Sequence, residues 1–353
     1  MSFSSTIQKY FTNLFISIIE EEDSYRLFCK VIKNNKLLNK FDKTFEIAPN
    51  DEKLDSSIED YLISLQEKYN TVYIALLLNS MGQGAIKGTH DEDFQRFSVH
   101  SNSVKTVKFK SWSSYVSYID INWIQKTYED VGLDFIYSPF VILHNLLSGY
   151  KLKHNLTLYI LNQEASITIG IFKGDTLCFG AFYKVNNNVK LSGDINIDDW
   201  EYEEEENDVG GMVELDGLDS GELLSLDDLG ELNVLDNDLS DEEFSELEDK
   251  DNVENVDNLL DLETEDSSIE DLELYGRDLD IFKFLKKALG EYYNNEVYES
   301  DFIENAIIFD GYDLSKEMVQ SIEEDLMLSL EIHKIDIAET VCNLSVKEVY
   351  GEI

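Results

Sequence analysis

The sequence lacks any apolar run near the eighteen or so residues that a membrane-spanning helix needs. Its longest such stretch, VYIALLL over 72–78, has the length of a buried strand. Its three cysteines, Cys29, Cys178 and Cys342, lie far apart without a CxxC spacing. That excludes a disulfide framework and predicts buried thiols in a reducing compartment. The five histidines (His90, His100, His144, His154, His333) do not pair with carboxylates at metal-ligand spacing, so no metal site is expected. No G-x-S-x-G elbow occurs. In NSMGQGAIKG, Lys87 is followed by no Ser or Thr, and it stands where a dinucleotide fingerprint has its third glycine. Basic residues are also scarce, 28 Lys and Arg against 73 Asp and Glu for a net charge of −45, which argues against a nucleic-acid partner. The opening MSFSSTIQKYFTNLF has no apolar core or small-residue cleavage site, so a cytoplasmic rather than a secreted chain is expected.

The charge is concentrated. From Asp198 to Glu273 there are about 33 acidic residues and one basic residue, Lys250, so this segment carries about −32 of the total. It has few aromatics, and like charge opposes collapse, so residues 193–274 read as an acidic disordered insertion. Leucines cluster within it, as in ELLSLDDLGEL. Such acidic-apolar patches suit a basic, apolar groove on a partner or on the same protein. DNDLSDEEF is no calcium loop: its central glycine is missing, and Leu247 falls where the bidentate glutamate belongs.

Elsewhere, strands and helices alternate. LFISIIEEEDSYRLFCKVIKNNKLLNKFDKTFEI predicts a three-stranded meander. SSIEDYLISLQEKY predicts a helix capped by Ser56 or Ser57, with Ile58, Leu62, Leu65 and Tyr69 on one face. A buried strand, a glycine-rich loop and the basic strand VKTVKFKSW follow. SSYVSYIDINWIQKTYEDVG reads as one or two helices, and PFVILHNLLSGYKL as a buried helix. LTLYILNQEASITIGIFKGDTLCFGAFYKV reads as two hairpins, and after the acidic stretch come a helix from Arg277, the strand ENAIIFDG, another helix, SLEIHKIDI and a helical tail. This is strands–helix–strand–helix–helix, twice over.

That order resembles the actin-like superfamily, and within it the PilM-like proteins of type IV pilus machines and the GspL cytoplasmic domain of type II secretion. The resemblance rests on the two hairpin regions, on WIQKTYEDVGLDFIYSPFVILHNLL, and on ENAIIFDGYDLSKEMVQSIEEDLML. It implies an α/β, ribonuclease H-like fold of two domains with mixed sheets: domain I over 1–152 with a small subdomain at about 88–125, and domain II over 153–192 and 275–353. It also places nucleotide contacts at the two hairpin turns and at the turn after ENAIIF, and there the sequence departs from the family. Acidic EEEDS fills the first turn. Leu161 or Asn162 stands for the metal-positioning Asp, Gln163 for the glycine that admits phosphate, and only Glu164 offers a carboxylate. Asp310-Gly311-Tyr312 keeps one glycine of the third turn. The expectation is a degenerate ATPase fold without catalysis, with ATP and Mg²⁺ disfavoured as cofactors. An ATP-binding protein with noncanonical contacts, or a protein acting through its acidic segment, are the alternatives.

The resemblance further implies a cytoplasmic scaffold, peripheral to the inner membrane through a partner. It would bind the cytoplasmic tail of a bitopic inner-membrane protein in a pilus, secretion, competence or flagellar-motor assembly, alone or as an oligomer or ring. Lys105, Lys108 and Lys110 are the expected carboxylate contacts and Trp112 the aromatic anchor.

Overall fold

The computed structural model describes residues 11–21, 23–47, 53–150, 155–185 and 267–351. A meander comes first: β1 (Asn13–Glu20), β2 (Tyr25–Lys33) and β3 (Lys36–Phe45). Asn34 and Asn35 both take positive φ (53° and 57°), the left-handed pair that a tight hairpin turn demands and asparagine tolerates. In α1 (Ser56–Lys68) the cap is Asp55, not a serine: its carboxylate accepts from Ser57 N at 2.8 Å, and Ile58, Leu62 and Leu65 are buried. β4 (Thr71–Leu77) then runs parallel to β1.

A small antiparallel sheet follows, built from β5 (Gln83–Lys87), β6 (Val104–Lys108) and β7 (Trp112–Ser117) in the order β5-β7-β6, with the short helix α2 (Asp91–Arg96) beside it. The chain rejoins the first sheet through α3 (Tyr118–Thr127) and β8 (Phe135–Tyr137), then enters α4 (Pro139–Ser148), capped by Ser138 with Pro139 in its first turn. The second half comprises β9 (Leu156–Asn162), β10 (Ser166–Lys173), β11 (Thr176–Lys184), α5 (Ser267–Asn294), β12 (Asn305–Asp310), α6 (Lys316–Asp325), β13 (Ser329–Lys334) and α7 (Ile337–Tyr350).

The two large sheets repeat one plan. Their orders are β3-β2-β1-β4-β8 and β11-β10-β9-β12-β13; in each, the second strand is antiparallel to the first and third, and the last two are parallel to the first. A doubled sheet of this order and direction is the actin-like, ribonuclease H-type α/β fold. The first repeat carries the small sheet between β4 and α3. In the second, residues 186–266 lie between β11 and α5, and most of the expected acidic insertion therefore falls outside the described residues.

The halves exchange their last helices. α4 follows the first sheet yet packs on β9 and β10, whereas α7 follows the second sheet yet packs on β1, β2 and β4. Between them lies a shared core that includes Phe15, Phe28, Leu77, Phe140, Leu143, Leu161, Phe309 and Val341. The outer face of sheet one packs against α1, and the outer face of sheet two, with Ile167, Ile169 and Ile171, against α5 and α6. Ser17, buried in mid-β1, donates to Ala338 O at 2.7 Å, and Asn13 donates to the Tyr350 hydroxyl at 3.1 Å, so both ends of α7 are tied to one strand. All three cysteines are buried and unpaired, and burial pushes the Cys342 thiol up to about 12.

Several boundaries differ from the sequence reading. Residues 112–117 are strand β7, because their backbone pairs with β5 on one side and β6 on the other, with Ser113 and Ser114 buried on the faces of the sheet; the helix starts only at Tyr118, where Ser117 caps it. The glycine-rich loop after β4 contains β5 and α2, so the small sheet starts at Gln83 and ends at Ser117 rather than spanning 88–125. α5 begins at Ser267, ten residues before Arg277 and inside the stretch read as insertion.

Trp112 needs the plainest correction. It is 2% exposed, with its ring against Phe109 (4.1 Å between centroids), His144 (5.6 Å) and Phe172 (5.6 Å). It joins the small sheet to α4 and β10 and cannot anchor a partner. The same burial lowers the pKa of His144. Trp112→Ala should lower the free energy of unfolding by about 3–5 kcal/mol, read by urea denaturation; an exposed anchor would leave it nearly unchanged.

Candidate functional site

The ends of β1, β4, β9 and β12 converge on a cleft between the two sheets, and the three turns singled out in the sequence meet there. Glu20 and Glu21 of the β1–β2 turn, Gln163 and Glu164 of the β9–β10 turn, and Gly311 after β12 line one cavity with Asn79, Arg26 and Ile337. Its volume is about 40 Å³. That holds one or two waters, against the roughly 300–1,000 Å³ of ligand pockets.

The sequence-predicted residues here are committed to one another. Leu161 is fully buried in the shared core. Asn162 Nδ2 donates to Asp310 Oδ1 at 2.7 Å, and its carbonyl accepts from Gly311 N at 2.9 Å. Asp310, 3% exposed, accepts from Tyr312 N (3.2 Å) and Leu314 N (2.9 Å) and so holds its own loop. Gln163 closes the β9–β10 turn: its N–H donates to Ser166 O at 3.0 Å and its Nε2 to Ser166 Oγ at 2.5 Å. Gly311 is closely packed: a Cβ there would lie 2.4 Å from Ile337 Cδ1, a side-chain end that would have to shift, and 3.1 Å from Asn162 O.

Arg277, from α5, went unnoticed in the sequence. It is 1% exposed and grips the β9–β10 turn from within: Nε donates to Glu164 O at 2.8 Å, and Nη2 donates to Asn162 Oδ1 at 3.0 Å and to Gln163 O. Tyr312 lies 5.7 Å from the guanidinium carbon. Burial pushes Arg277 down to about 10, so it is still charged at neutral pH. Beside it Asp278 accepts from Ser315 N at 3.3 Å, and burial raises the pKa of this carboxyl. One signal could have found Arg277: the chain has only three arginines, and this one follows the long acidic stretch.

Ion pairs bridge the rim. Arg26 of β2 pairs with Asp42 (2.6 Å) and with Asp336 (2.8 Å), the cap of α7. Lys30 reaches Glu339 and Asn343 of α7, both at 2.6 Å. On the other side the small sheet is clasped to the second half, with Lys87 on Glu299, Lys110 on Asp175, and Arg96 Nη2 donating to Val297 O at 3.3 Å. Lys110 is thus engaged within the chain. Lys105 and Lys108 are exposed on β6, but their spacing of three sets them on opposite faces of the strand.

The cleft presents both kinds of group: the Arg26 guanidinium, paired with Asp42 and Asp336, and the carboxylates of Glu20, Glu21 and Glu164, which would repel phosphates. It also offers the oxygens of Asn79 and Gln163, each without a hydrogen-bond partner among the described residues. Arg277, a cation beside the β9–β10 turn, holds that turn's acceptors through Nε and Nη2, while its Nη1 is buried without a hydrogen-bond partner among the described residues. Among the described residues no group of three or more His, Cys, Asp or Glu side chains could hold a metal ion. No helix there is long and apolar enough to cross a membrane.

Residues 158–350 match a family model described as a domain of unknown function, DUF8341, and this match covers more than half of the chain. The chain belongs to the DUF8341 family. Residues 11–144 match a second domain of unknown function, DUF8569, so the two matches divide the DUF8341 chain between its two structural repeats. No curated protein matches it. Solved structures similar to it include a Bacteroides thetaiotaomicron protein of unknown function with an actin-like ATPase fold (14% identity, 52% of this chain and 74% of that one, TM-score 0.32). A PilM–PilN type IV pilus biogenesis complex is also similar (11% identity, 50% and 62%, TM-score 0.34). So is the cytoplasmic domain of EpsL, an inner-membrane component of the type II secretion system of Vibrio cholerae (9% identity, 49% and 71%, TM-score 0.28). The matched part spans 62–74% of those three chains. At such identities the likeness concerns the fold.

Arg277→Ala should destabilise the protein by about 3 kcal/mol or more, because it strands several buried acceptors at once. Arg277→Lys keeps the charge but loses the fork, and should fall in between; urea denaturation of the three proteins checks the order.

Proposed function

We propose that this chain is a non-catalytic adaptor that uses the actin-like fold as a closed scaffold. The observation that carries this reading is the state of the cleft: about 40 Å³, with three carboxylates on its lining and Arg277 Nε and Nη2 engaged by the turn that would face a phosphate. Helix exchange supports the same reading, since α4 and α7 each tie one half of the chain to the other.

The partner in this reading is the cytoplasmic tail of a bitopic inner-membrane protein of a pilus, secretion or related envelope machine, the class that the sequence resemblance implies. The anchor for it moves from Trp112 to α3. No residue of α3 is buried, and Ile119 (77% exposed) and Trp123 (51%) stand one turn apart on it. Met81, 60% exposed, sits in a loop held to the start of α3 by the bond from Ser80 Oγ to Asp120 Oδ2 at 2.9 Å. Apolar side chains gathered at one place in this way are what an amphipathic tail needs.

Titration calorimetry with ATP and Mg²⁺ should show no saturable binding up to about millimolar nucleotide. A saturable micromolar isotherm would overturn the adaptor reading. Crosslinking in native cells followed by purification should recover bitopic membrane proteins with the wild-type chain and lose them with Ile119→Asp/Trp123→Ala. Equal recovery from the variant would remove α3 as the anchor.

A further inference from the structure

The duplication of the sheet exposes an asymmetry. β3 and β11 hold the same place in the two repeats, each at the edge of its sheet beside the second strand. β11 is mostly buried: β5 packs along it, so closely that a Cβ on Gly180 would sit 3.0 Å from both the Cβ and the O of Ala85. Among the described residues β3 has no such cover. Of its ten residues eight are exposed, and Leu37 (53%) and Leu38 (58%) are open to solvent. Among the described residues the strand pairs only with β2, so its outer edge presents backbone donors and acceptors along its length.

Charge says what such an edge accepts. Lys33, Lys36, Lys40 and Lys43 lie along β3 and its turn, in a chain whose net charge is −45. Lys43 covers the rings of Phe45 and Tyr61, and Lys40 is only loosely engaged, 3.8 Å from Glu339 and 57% exposed. A second copy pairing through its own β3 would set these lysines against their counterparts, so that edge is the wrong occupant. Lysines alone blunt an edge against aggregation. Lysines flanking two exposed leucines offer an acidic strand both counter-charge and apolar contact.

We infer that β3 is a docking edge for an acidic, extended peptide segment of a partner, which adds a sixth strand to the first sheet. Backbone hydrogen bonds supply affinity, and the lysines and leucines supply selectivity. The inference is independent of the adaptor reading, because the edge lies apart from both the cleft and α3 and would serve a nucleotide-binding protein equally.

The test is fluorescence polarisation with the full chain and labelled ten-residue peptides that alternate Glu with Val or Leu. Controls are the same peptide with Lys for Glu, and one N-methylated at alternate residues so that it cannot pair along a strand. The acidic peptide should bind, weaken on going from low to high salt, and bind at least tenfold more weakly to Lys36→Glu/Lys40→Glu. The two controls should not bind. No binding of the acidic peptide, or equal binding of the N-methylated one, overturns the inference. So does sedimentation showing a dimer that Lys36→Glu/Lys40→Glu alters, since the edge would then belong to a second copy. Circular dichroism and urea midpoints unchanged from wild type confirm that the variant is folded; as Lys36 and Lys40 are exposed, this is the expected result.

Discussion

The guanidinium of Arg277 is charged, almost wholly buried, and bonded to acceptors at three successive residues of one turn, Asn162, Gln163 and Glu164. A turn whose carbonyls converge on a cation from one side has its geometry set by that cation. In a phosphate-binding hairpin the same turn has the opposite task of presenting N–H groups to an anion. Here Gln163 N–H is already used on Ser166 O, and the Gln163 side chain closes on the same residue. Gln163 and Arg277 therefore act on one turn, which an internal cation organises.

Rigidity follows from this and from the exchanged helices. α7 begins at the cleft, where Ile337 fills the space above Gly311 and Asp336 receives Arg26 from the opposite half. It then runs across sheet one to Tyr350, against Asn13. The Arg26 and Lys30 pairs and the bond from Ser17 to Ala338 O hold α7 on sheet one, so the chain that leaves β13 ties the second half to the first. The ion pairs are partly exposed and contribute little individually. Their role is to fix the register of a helix whose apolar side chains supply most of the energy.

Much of this architecture was legible in the sequence because it is local. The alternation of Ile167, Ile169 and Ile171, the spacing of Ile58, Leu62 and Leu65, and the Ser138-Pro139 helix start each follow from backbone geometry over a few residues. The doubled order was legible for the same reason. What failed was non-local. Trp112 reads as a surface aromatic among lysines, and its burial depends on α4 and β10, elements far away in the chain. Residues 112–117 have a helix-compatible spacing that pairing with β5 and β6 overrides. Arg277 lies more than a hundred residues from the turn that it organises, and no periodicity marks such a contact.

Gly311 shows how a retained motif residue can mislead. In the sequence it looks like a surviving half of an adenosine turn, which would count toward residual nucleotide binding. In the structure the space a side chain would take is filled by Ile337, so packing alone gives the glycine a role whether or not a nucleotide ever enters. The same test applies to each candidate. Asp310 is spent on its own loop, Asn162 on Asp310 and Arg277, Lys110 on Asp175, and Trp112 on the core. Residues free to meet another molecule must be sought where the interior makes no claim on them. Within the described residues that criterion leads away from the cleft, to the uncovered strand β3 and to the face of α3 that carries Ile119 and Trp123.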